Sequence, residues 1–238
     1  MPEPSLPEFH ATLQSVTTLS PTVKQFTLLC TDEHYQREAG QWIRVARRID
    51  AAVHANSFSV VSAPRTPGHI ELAIKTSVRQ PLIRWLHESA KSGDTVTISN
   101  GQGSFCYRAS MGLRVVLLAA GTGITPFVSI LRHIASEVPD AQATLVYSVA
   151  SRDECLYCEE LQQLCDGKRL RFLPTLTQPD HNWHGHTGRI DIDLLRQAGL
   201  DPDSLYYLCG PQEMVDGISA LLLQHGIPEQ QVVFEKWW

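Results

Sequence analysis

A glycine-rich turn near the middle of the chain is the segment best suited to hold a phosphate group. Gly121-Thr122-Gly123 follows the apolar run Val115–Ala120 and precedes an amphipathic stretch, Phe127–Ile134. A strand, a glycine-rich turn and a helix in this order can hold a phosphate against the helix N-terminus. Thr125 can cap that helix, and Pro126 suits its first turn because its missing N–H has no helical partner. The third glycine of the dinucleotide fingerprint is absent, so an ordinary strand-to-helix turn explains the segment about equally well.

Two further clusters contain residue types that bind metals or undergo redox chemistry. Cys155-Leu156-Tyr157-Cys158 has the spacing of a metal or redox pair, but the chain has no second CxxC motif. The segment has a helical pattern, so we favour an ordinary helix that contains two small residues. His181, His184 and His186 lie in one short loop and raise a metal hypothesis of their own.

Composition restricts the class of protein. The chain has 238 residues, 43% of them hydrophobic, and a net charge of −5, which suits one or two globular domains. The slight acidity gives no reason to expect nucleic acid or an anionic membrane as a partner. The first residues lack the features of a signal peptide, and no apolar run could span a bilayer. We therefore predict a cytoplasmic protein whose six cysteines are reduced thiols.

Residues 10 to about 108 have the pattern of an all-β domain. Short alternating segments are separated by turn signals such as Ser92-Gly93-Asp94. One helical stretch, Pro81–Ser89, interrupts them. The pattern predicts a six-stranded antiparallel β-barrel. Its strands are Ala11–Leu19, Val23–Cys30, Gln41–Arg47, Ser57–Ser62, His69–Lys75 and Thr95–Ser99.

From Leu113 onward, continuous apolar runs alternate with helical stretches, which predicts a doubly wound α/β domain with five parallel strands. We place the boundary so that residues 1–110 form the barrel and 111–238 the α/β domain. A ligand of such a domain binds beyond the carboxyl ends of the strands. The predicted strands are Val115–Ala120, Ala143–Val149, Leu170–Leu176, Leu205–Cys209 and Val232–Phe234, and the helices are Phe127–Ser136, Glu154–Cys165, Ile192–Ala198 and Glu213–His225.

Four motifs in a fixed order carry a family resemblance. They are Ser57-Phe58-Ser59, Gly121-Thr122-Gly123-Ile124-Thr125-Pro126, Cys209-Gly210-Pro211 and Phe234-Glu235-Lys236-Trp237. A barrel followed by an α/β domain with these motifs resembles the ferredoxin–NADP reductase superfamily, and most closely its short flavin reductase-like members. The resemblance implies FAD on the barrel, NAD(P)H on the α/β domain and hydride transfer between them.

The resemblance implies catalytic roles for Ser59, Cys209 and Glu235. The Ser59 hydroxyl would hydrogen-bond flavin N5, with Ser57 and Phe58 beside the flavin. Cys209 would lie close to nicotinamide C4 as a positioning group rather than a thiolate nucleophile. A small buried cysteine that only packs at the end of a strand would explain the same position.

The remaining implied cofactor contacts lie around the two rings. Gly210 and Pro211 would shape the bend around the nicotinamide, and Trp237 would cover the flavin ring or simply pack into the core. The histidine loop falls on a structural loop of the family, Trp183-x-Gly185-x-x-Gly188-Arg189, so we favour that role over a metal site.

This sequence departs from the family pattern at the flavin phosphate. Asn56 stands where the family has an arginine, and a later Gly-x-x-Ser/Thr motif falls on Gln80–Ile83. Losing a charge-assisted contact to phosphate costs about 1.5–3 kcal/mol, which is roughly ten- to a hundredfold in affinity. Lys75, Arg79 or Arg84 could substitute for it, and Arg65 is a more distant candidate. FAD would then bind weakly, bind in an altered pose, or act as a dissociable substrate.

The choice of nicotinamide depends on the groups that would meet a 2′-phosphate. Ser151-Arg152 suits that phosphate, whereas Asp153 and Glu154 would repel it. We therefore lean towards NADH over NADPH.

The sequence thus predicts an NAD(P)H-dependent flavin oxidoreductase with small-molecule cofactors. Because the sequence shows no haem or iron–sulfur motif, the electron acceptor would be external, for example a protein, a quinone or free flavin. The alternative is a non-catalytic nucleotide- or protein-binding module that kept the fold but lost tight flavin binding.

Overall fold

The computed structural model describes residues 8–65 and 68–236. The chain forms two compact units, Met1–Cys106 and Tyr107–Trp238. Among the helices of the described ranges, none combines the length and apolar character that crossing a membrane would require.

The first unit is a six-stranded antiparallel sheet, as predicted. In sheet order its strands run β4-β3-β6-β1-β2-β5. The Val61 N–H, just beyond β4, donates to the Glu71 carbonyl of β5 at 2.8 Å, which joins the two edges of the sheet. The elements in chain order are β1 (Glu8–Ser20), β2 (Val23–Leu29), β3 (Trp42–Ile49), β4 (Ala52–Ser59), β5 (His69–Lys75), α1 (Pro81–Glu88) and β6 (Thr95–Ser99).

The core of this unit follows from strand alternation. Phe26 and Leu28 of β2 are buried, while the residue between them, Thr27, is only half-buried. Leu82 and Leu86, one helical turn apart on α1, complete the same cluster. The apolar face of α1 therefore covers the sheet and fixes the helix beside β4.

The predicted fourth strand, Ser57–Ser62, is wrong by several residues, because β4 spans Ala52–Ser59. The β3–β4 hairpin turns at Asp50, which adopts a left-handed conformation with φ of 53°. The turn lacks glycine, and β4 begins with small and polar residues, so neither end of the strand has a strong signal.

The second unit is a parallel sheet with helices between its strands, as predicted. The sheet order is β10-β9-β8-β7-β11-β12. The elements are β7 (Arg114–Ala120), α2 (Thr125–Glu137), β8 (Gln142–Val149), α3 (Cys158–Leu164), β9 (Leu170–Leu176), β10 (His186–Thr187), α4 (Ile192–Gly199), β11 (Leu205–Gly210), α5 (Gln212–Gln224) and β12 (Val232–Lys236).

The strand order reverses between β7 and β11. The chain proceeds outward from β7 through β8, β9 and β10, and then returns to the other side of β7 with β11 and β12. A crevice outside the carboxyl ends of two such strands is the usual ligand site of a doubly wound sheet. The fold therefore identifies the turn after β7 and the turn after β11 as the place where a ligand is expected.

Two local features differ from the prediction. The parallel sheet has a sixth strand, β10, whose two residues are too few to show a periodic pattern. The helix expected at Glu154–Cys165 begins only at Cys158, after a single 3₁₀ turn at Arg152–Glu154. Cys155 is therefore not helical, and the structure pairs it with Cys158 in a disulfide, contrary to the expectation of six reduced thiols.

Candidate functional site

The strand register brings predicted site residues together at the switch point of the second unit. Cys209 of β11 pairs with Ala119 of β7 on one side and with Glu235 of β12 on the other. Cys209 is fully buried, whereas Glu235 is half-buried. Because these strands are parallel, all three residues lie near the carboxyl edge of the sheet.

The two glycines of the turn serve different purposes. Gly121 has a φ of +54°, a left-handed conformation that side chains disfavour, and a β-carbon there would meet no atom within 4 Å. A β-carbon on Gly123 would instead overlap the carbonyl group of Cys209 and approach the Gly210 nitrogen. Gly121 thus leaves open space at the turn, and Gly123 lets the turn pack against the end of β11.

The predicted helix cap at Thr125 is wrong. The turn Gly121–Ile124 is a short 3₁₀ helix that continues directly into α2, whose N-cap is Ile124. The Thr125 hydroxyl donates to the Thr122 carbonyl at 3.0 Å and so stabilises the turn. Pro126 lies in the first turn of α2, as expected.

A pocket of about 510 Å³ opens at this edge of the sheet. Of the predicted residues, Gly121 and Pro211 line it, whereas Thr122, Gly123, Ser151, Cys209 and Gly210 do not. The other residues that line it come from the ends of β7, β8 and β9, the connection from β8 to α3, the loop before α4 and one face of α5. They are Ala120, Ser148, Val149, Ala150, Glu154, Thr177, Arg189, Ile190, Glu213, Met214, Gly217, Ile218 and Leu221.

Sequence reasoning missed several of these residues as ligand contacts. Glu213 and Met214 lie in the first turn of the helix that follows Pro211, so their positions just after β11 were a usable signal. Arg189 is the one cation among the described residues that line the pocket. Its guanidinium gives the pocket a donor for a phosphate, while the aliphatic residues that line the pocket suit an apolar ring.

Arg152 lies outside the pocket and is held by the histidine-containing loop. Its Nε lies 3.3 Å from Asp180 Oδ2, and its Nη2 donates to the Asn182 carbonyl at 2.6 Å. Its guanidinium also lies 5.2 Å from the centre of the Trp183 ring. A 2′-phosphate would have to compete with the Asp180 carboxylate for this cation.

The histidine loop is organised by hydrogen bonds. The indole of Trp183 donates to the His186 carbonyl at 2.7 Å, and His186 belongs to β10. His181 and His184 are exposed. Within residues 8–65 and 68–236, no three His, Cys, Asp or Glu side chains are arranged to hold a metal ion.

In the first unit, the two positions that depart from the family pattern contact one another. Asn56 of β4 donates from its amide to the side-chain oxygen of Gln80, the N-cap residue of α1. Ser57 and Phe58 are half-buried, and Ser59 is buried at the end of the strand. Lys75 is exposed at the end of β5. Trp237 lies outside the described residues.

Comparison with known protein families assigns each unit. Residues 10–107 match the oxidoreductase FAD-binding domain, and residues 117–220 match the oxidoreductase NAD-binding domain. Among solved structures, the fold is similar to the CS-b5R domains of human Ncb5or in the NAD+ form, with a TM-score of 0.85, 24% identity and coverage of 98% of this chain and 70% of that one. It is also similar to a ferredoxin NADP+ reductase from Neisseria gonorrhoeae with bound FAD and NADP, with a TM-score of 0.82, 24% identity and coverage of 97% and 99%.

Curated relatives resemble the chain over nearly its whole length. The oxidoreductase NAD-binding domain-containing protein 1 of Danio rerio is 30% identical over 97% of this chain and 92% of its own length. The Homo sapiens protein of the same name is 30% identical over 92% and 76%. The chain therefore belongs to the family of oxidoreductase NAD-binding domain-containing protein 1, which pairs an FAD-binding with an NAD-binding domain of the ferredoxin reductase type.

Proposed function

We propose that this protein is a flavin-dependent oxidoreductase in which NADH reduces FAD and the electrons pass to an external acceptor. The pocket at the switch point of the second unit carries the proposal. Gly121 and Pro211 line it, and the buried Cys209 lies next to it in sequence and in register. FAD, when bound, supplies the hydride-accepting chemistry, and the protein supplies binding, orientation and exclusion of water.

The residues of the second unit fit a nicotinamide dinucleotide. Backbone N–H groups of the turn Gly121–Gly123, before α2, would bind the phosphate, for which the open space at Gly121 leaves room. Arg189 would neutralise part of the phosphate charge. Cys209, Gly210 and Pro211 would orient the nicotinamide, with Glu235 beside Cys209 on the neighbouring strand.

The first unit would bind FAD through β4 and α1. The Ser59 hydroxyl would donate a hydrogen bond to flavin N5, and Phe58 would pack beside the flavin ring. Asn56 and Gln80 offer amide donors in place of the usual cation, so the flavin phosphate would be held without a charge-assisted bond. We therefore propose a dissociable FAD.

The proposed preference for NADH rests on Arg152 and Glu154. The carboxylate of Asp180 already pairs with Arg152, and Glu154 is among the residues that line the pocket. A 2′-phosphate would therefore gain little from Arg152 and would be repelled by Glu154.

The Asn56–Gln80 contact also favours one alternative, a nucleotide-binding module without flavin chemistry. The deciding experiment is an absorbance spectrum of the purified protein with FAD supplied, followed by anaerobic addition of NADH and, separately, NADPH. We expect flavin bands at ~375 and ~450 nm that bleach with NADH. A protein that neither retains FAD nor oxidises either nicotinamide would contradict the oxidoreductase and support the module.

A further inference from the structure

The cysteine pair lies on the connection from β8 to α3, and the same connection lines the nucleotide pocket. Cys155 and Cys158 are bonded, and their Cα atoms are 5.6 Å apart, a separation at which disulfides form without backbone movement. Ala150 and Glu154, from the same connection, line the pocket. A change in the bonding of the pair therefore acts on chain directly beside the pocket.

We propose that Cys155 and Cys158 form a reversible dithiol–disulfide pair whose oxidation state sets the affinity of the pocket for a nicotinamide dinucleotide. This inference rests on the proposed use of that pocket for NADH. The disulfide form holds the pocket in its binding shape, and reduction weakens binding.

A chain of contacts leads from the pair to the phosphate-binding turn. Leu156, between the two cysteines, is buried, and its N–H donates to the Tyr147 hydroxyl at 3.4 Å. That hydroxyl in turn donates to the Gly121 carbonyl at 2.9 Å. Burial raises the pKa of Tyr147, so its hydroxyl keeps the proton that this bond needs. The position of Leu156 is thereby coupled to the turn.

The turn between the cysteines is strained. Tyr157 has a φ of 59°, in the left-handed region that residues other than glycine seldom occupy. The disulfide closes a ring around this residue and holds it in that conformation. Reduction opens the ring, so the strain at Tyr157 can relax through movement of the backbone.

The far side of the pair is anchored by side-chain contacts between α2 and α3. Arg132 of α2 binds Glu160 of α3 with two bonds, Nε–Oε1 at 2.6 Å and Nη2–Oε2 at 2.8 Å. Its guanidinium also lies 5.8 Å from the Tyr157 ring centre. Because these contacts hold α3 against α2, relaxation after reduction is directed towards Glu154–Leu156 and the pocket.

The other cysteines are poor competitors in thiol exchange. Cys30, Cys106 and Cys209 are buried. Burial raises the pKa of Cys165 to about 11, so it is almost entirely the unreactive thiol at neutral pH. Cys155 and Cys158 are partly exposed, as Cys165 is, so a small reagent has access to the pair.

The exchange step requires a low-molecular-weight disulfide as oxidant, such as glutathione disulfide. The thiolate of one cysteine attacks one sulfur of the reagent, forms a mixed disulfide and releases one reagent thiolate. The second cysteine thiolate then attacks the sulfur of the first cysteine in this mixed disulfide, closes the Cys155–Cys158 bond and releases the second reagent thiolate. Two electrons pass from protein to reagent, and the two cysteine protons end on the released thiols. A dithiol reductant reverses the step.

The test uses the full chain in two states, oxidised with glutathione disulfide or reduced with dithiothreitol under argon, each then freed of reagent. Alkylation followed by peptide mass spectrometry reports the bonding of each cysteine. Calorimetric titration with NAD+, which cannot reduce the flavin, reports affinity. We expect Cys155 and Cys158 to change state together and the dissociation constant to rise about threefold or more on reduction.

Variants separate the pair from general redox effects. C155S/C158S should bind NAD+ with one affinity under both treatments, whereas C165S should behave like the parent protein. Cysteines that stay reduced under oxidant, or an NAD+ affinity that is equal or tighter after reduction, would overturn this inference alone. Absence of NAD+ binding in both states would overturn the proposed function and this inference with it.

Discussion

At the scale of single residues, the amide pair Asn56–Gln80 lies where the chain departs from the motif pattern that it otherwise resembles. The two substituted positions lie on different elements, β4 and the start of α1, and they bond to one another. The paired amides offer a flavin phosphate no positive charge. The motif resemblance in the sequence identified both positions, but only the structure shows that they contact one another.

Asn56→Arg should tighten FAD binding about ten- to a hundredfold, because it restores a charge-assisted bond to phosphate that contributes about 1.5–3 kcal/mol. Fluorescence titration of FAD measures the change. Asn56→Gln, which lengthens the amide without adding charge, is the control and should change the affinity less than twofold. An unchanged affinity for the arginine variant would place the flavin phosphate elsewhere.

Cys209→Ala should slow flavin reduction by NADH about tenfold while leaving FAD affinity within twofold, because close packing of the reacting rings depends on small displacements. Cys209 is fully buried beside the turn and Glu235. Anaerobic stopped-flow absorbance measures the rate. Cys30→Ala, at a buried cysteine of the first unit, is the control, and equal reduction rates in Cys209→Ala and the parent would refute a positioning role.

Asp180→Asn should raise the kcat/KM for NADPH relative to NADH about threefold, since it releases the Arg152 cation from its carboxylate partner. Steady-state oxidation of both nicotinamides measures the ratio. Asp193→Asn removes a comparable exposed ion pair, with Arg196 at 2.9 Å, and should leave the ratio unchanged. A shift of equal size in both variants would mean that overall charge, not Arg152, is responsible.

The position of Cys209 could be predicted from the sequence, whereas the ion pair between Arg152 and Asp180 could not. Parallel strands end at a common edge, so residues that follow the runs Val115–Ala120 and Leu205–Cys209 must meet there. Asp180 and Trp183 reach Arg152 from a loop with no periodic pattern. A side-chain contact between two irregular segments leaves no spacing signal.

At the scale of elements, the turn between β7 and α2 is fixed by its packing against β11. Gly123→Ala should destabilise the second unit by about 2–3 kcal/mol, because the new methyl group overlaps backbone that cannot repack. Gly217→Ala, within α5, meets no atom within 4 Å and should stabilise that helix by about 0.5–1 kcal/mol.

Denaturant unfolding of both glycine variants measures these changes. The two substitutions add the same methyl group but are expected to change the free energy of unfolding in opposite directions. The comparison therefore tests the packing around each glycine rather than the change of residue type. A Gly123→Ala variant as stable as the parent would show that the turn can move away from Cys209.

The elements that the sequence analysis missed or placed with wrong bounds share weak local signals. β10 has two residues, β4 begins with small and polar side chains, and the helix expected from Glu154 begins only at Cys158. The long apolar strands β7, β8 and β11 were placed within a residue or two, because burial on both faces produces a continuous run. Elements were thus predictable where burial alone determines them.

At the scale of the whole molecule, each of the two units contains a histidine whose burial lowers its pKa. His87 of the first unit donates from Nε2 to the Ile74 carbonyl at 3.0 Å, and burial outweighs that bond in lowering its pKa. His133 of the second unit lies on α2 near Tyr107, with ring centres 6.4 Å apart, and burial lowers its pKa too. Each of these histidines therefore binds a proton less readily in the folded unit than in the unfolded chain.

The sign of the resulting pH dependence follows directly. Below the ordinary histidine pKa of 6.5, the unfolded chain binds more protons than the folded one, so the free energy of unfolding falls as the pH falls from about 7 towards 5. Urea denaturation at a series of pH values should show this loss in both units. His87→Gln/His133→Gln, compared with the parent at pH 8 as reference, should flatten the pH dependence, because glutamine cannot take up the proton and its amide can still donate to Ile74. A slope identical to that of the parent would assign the acid sensitivity to other groups.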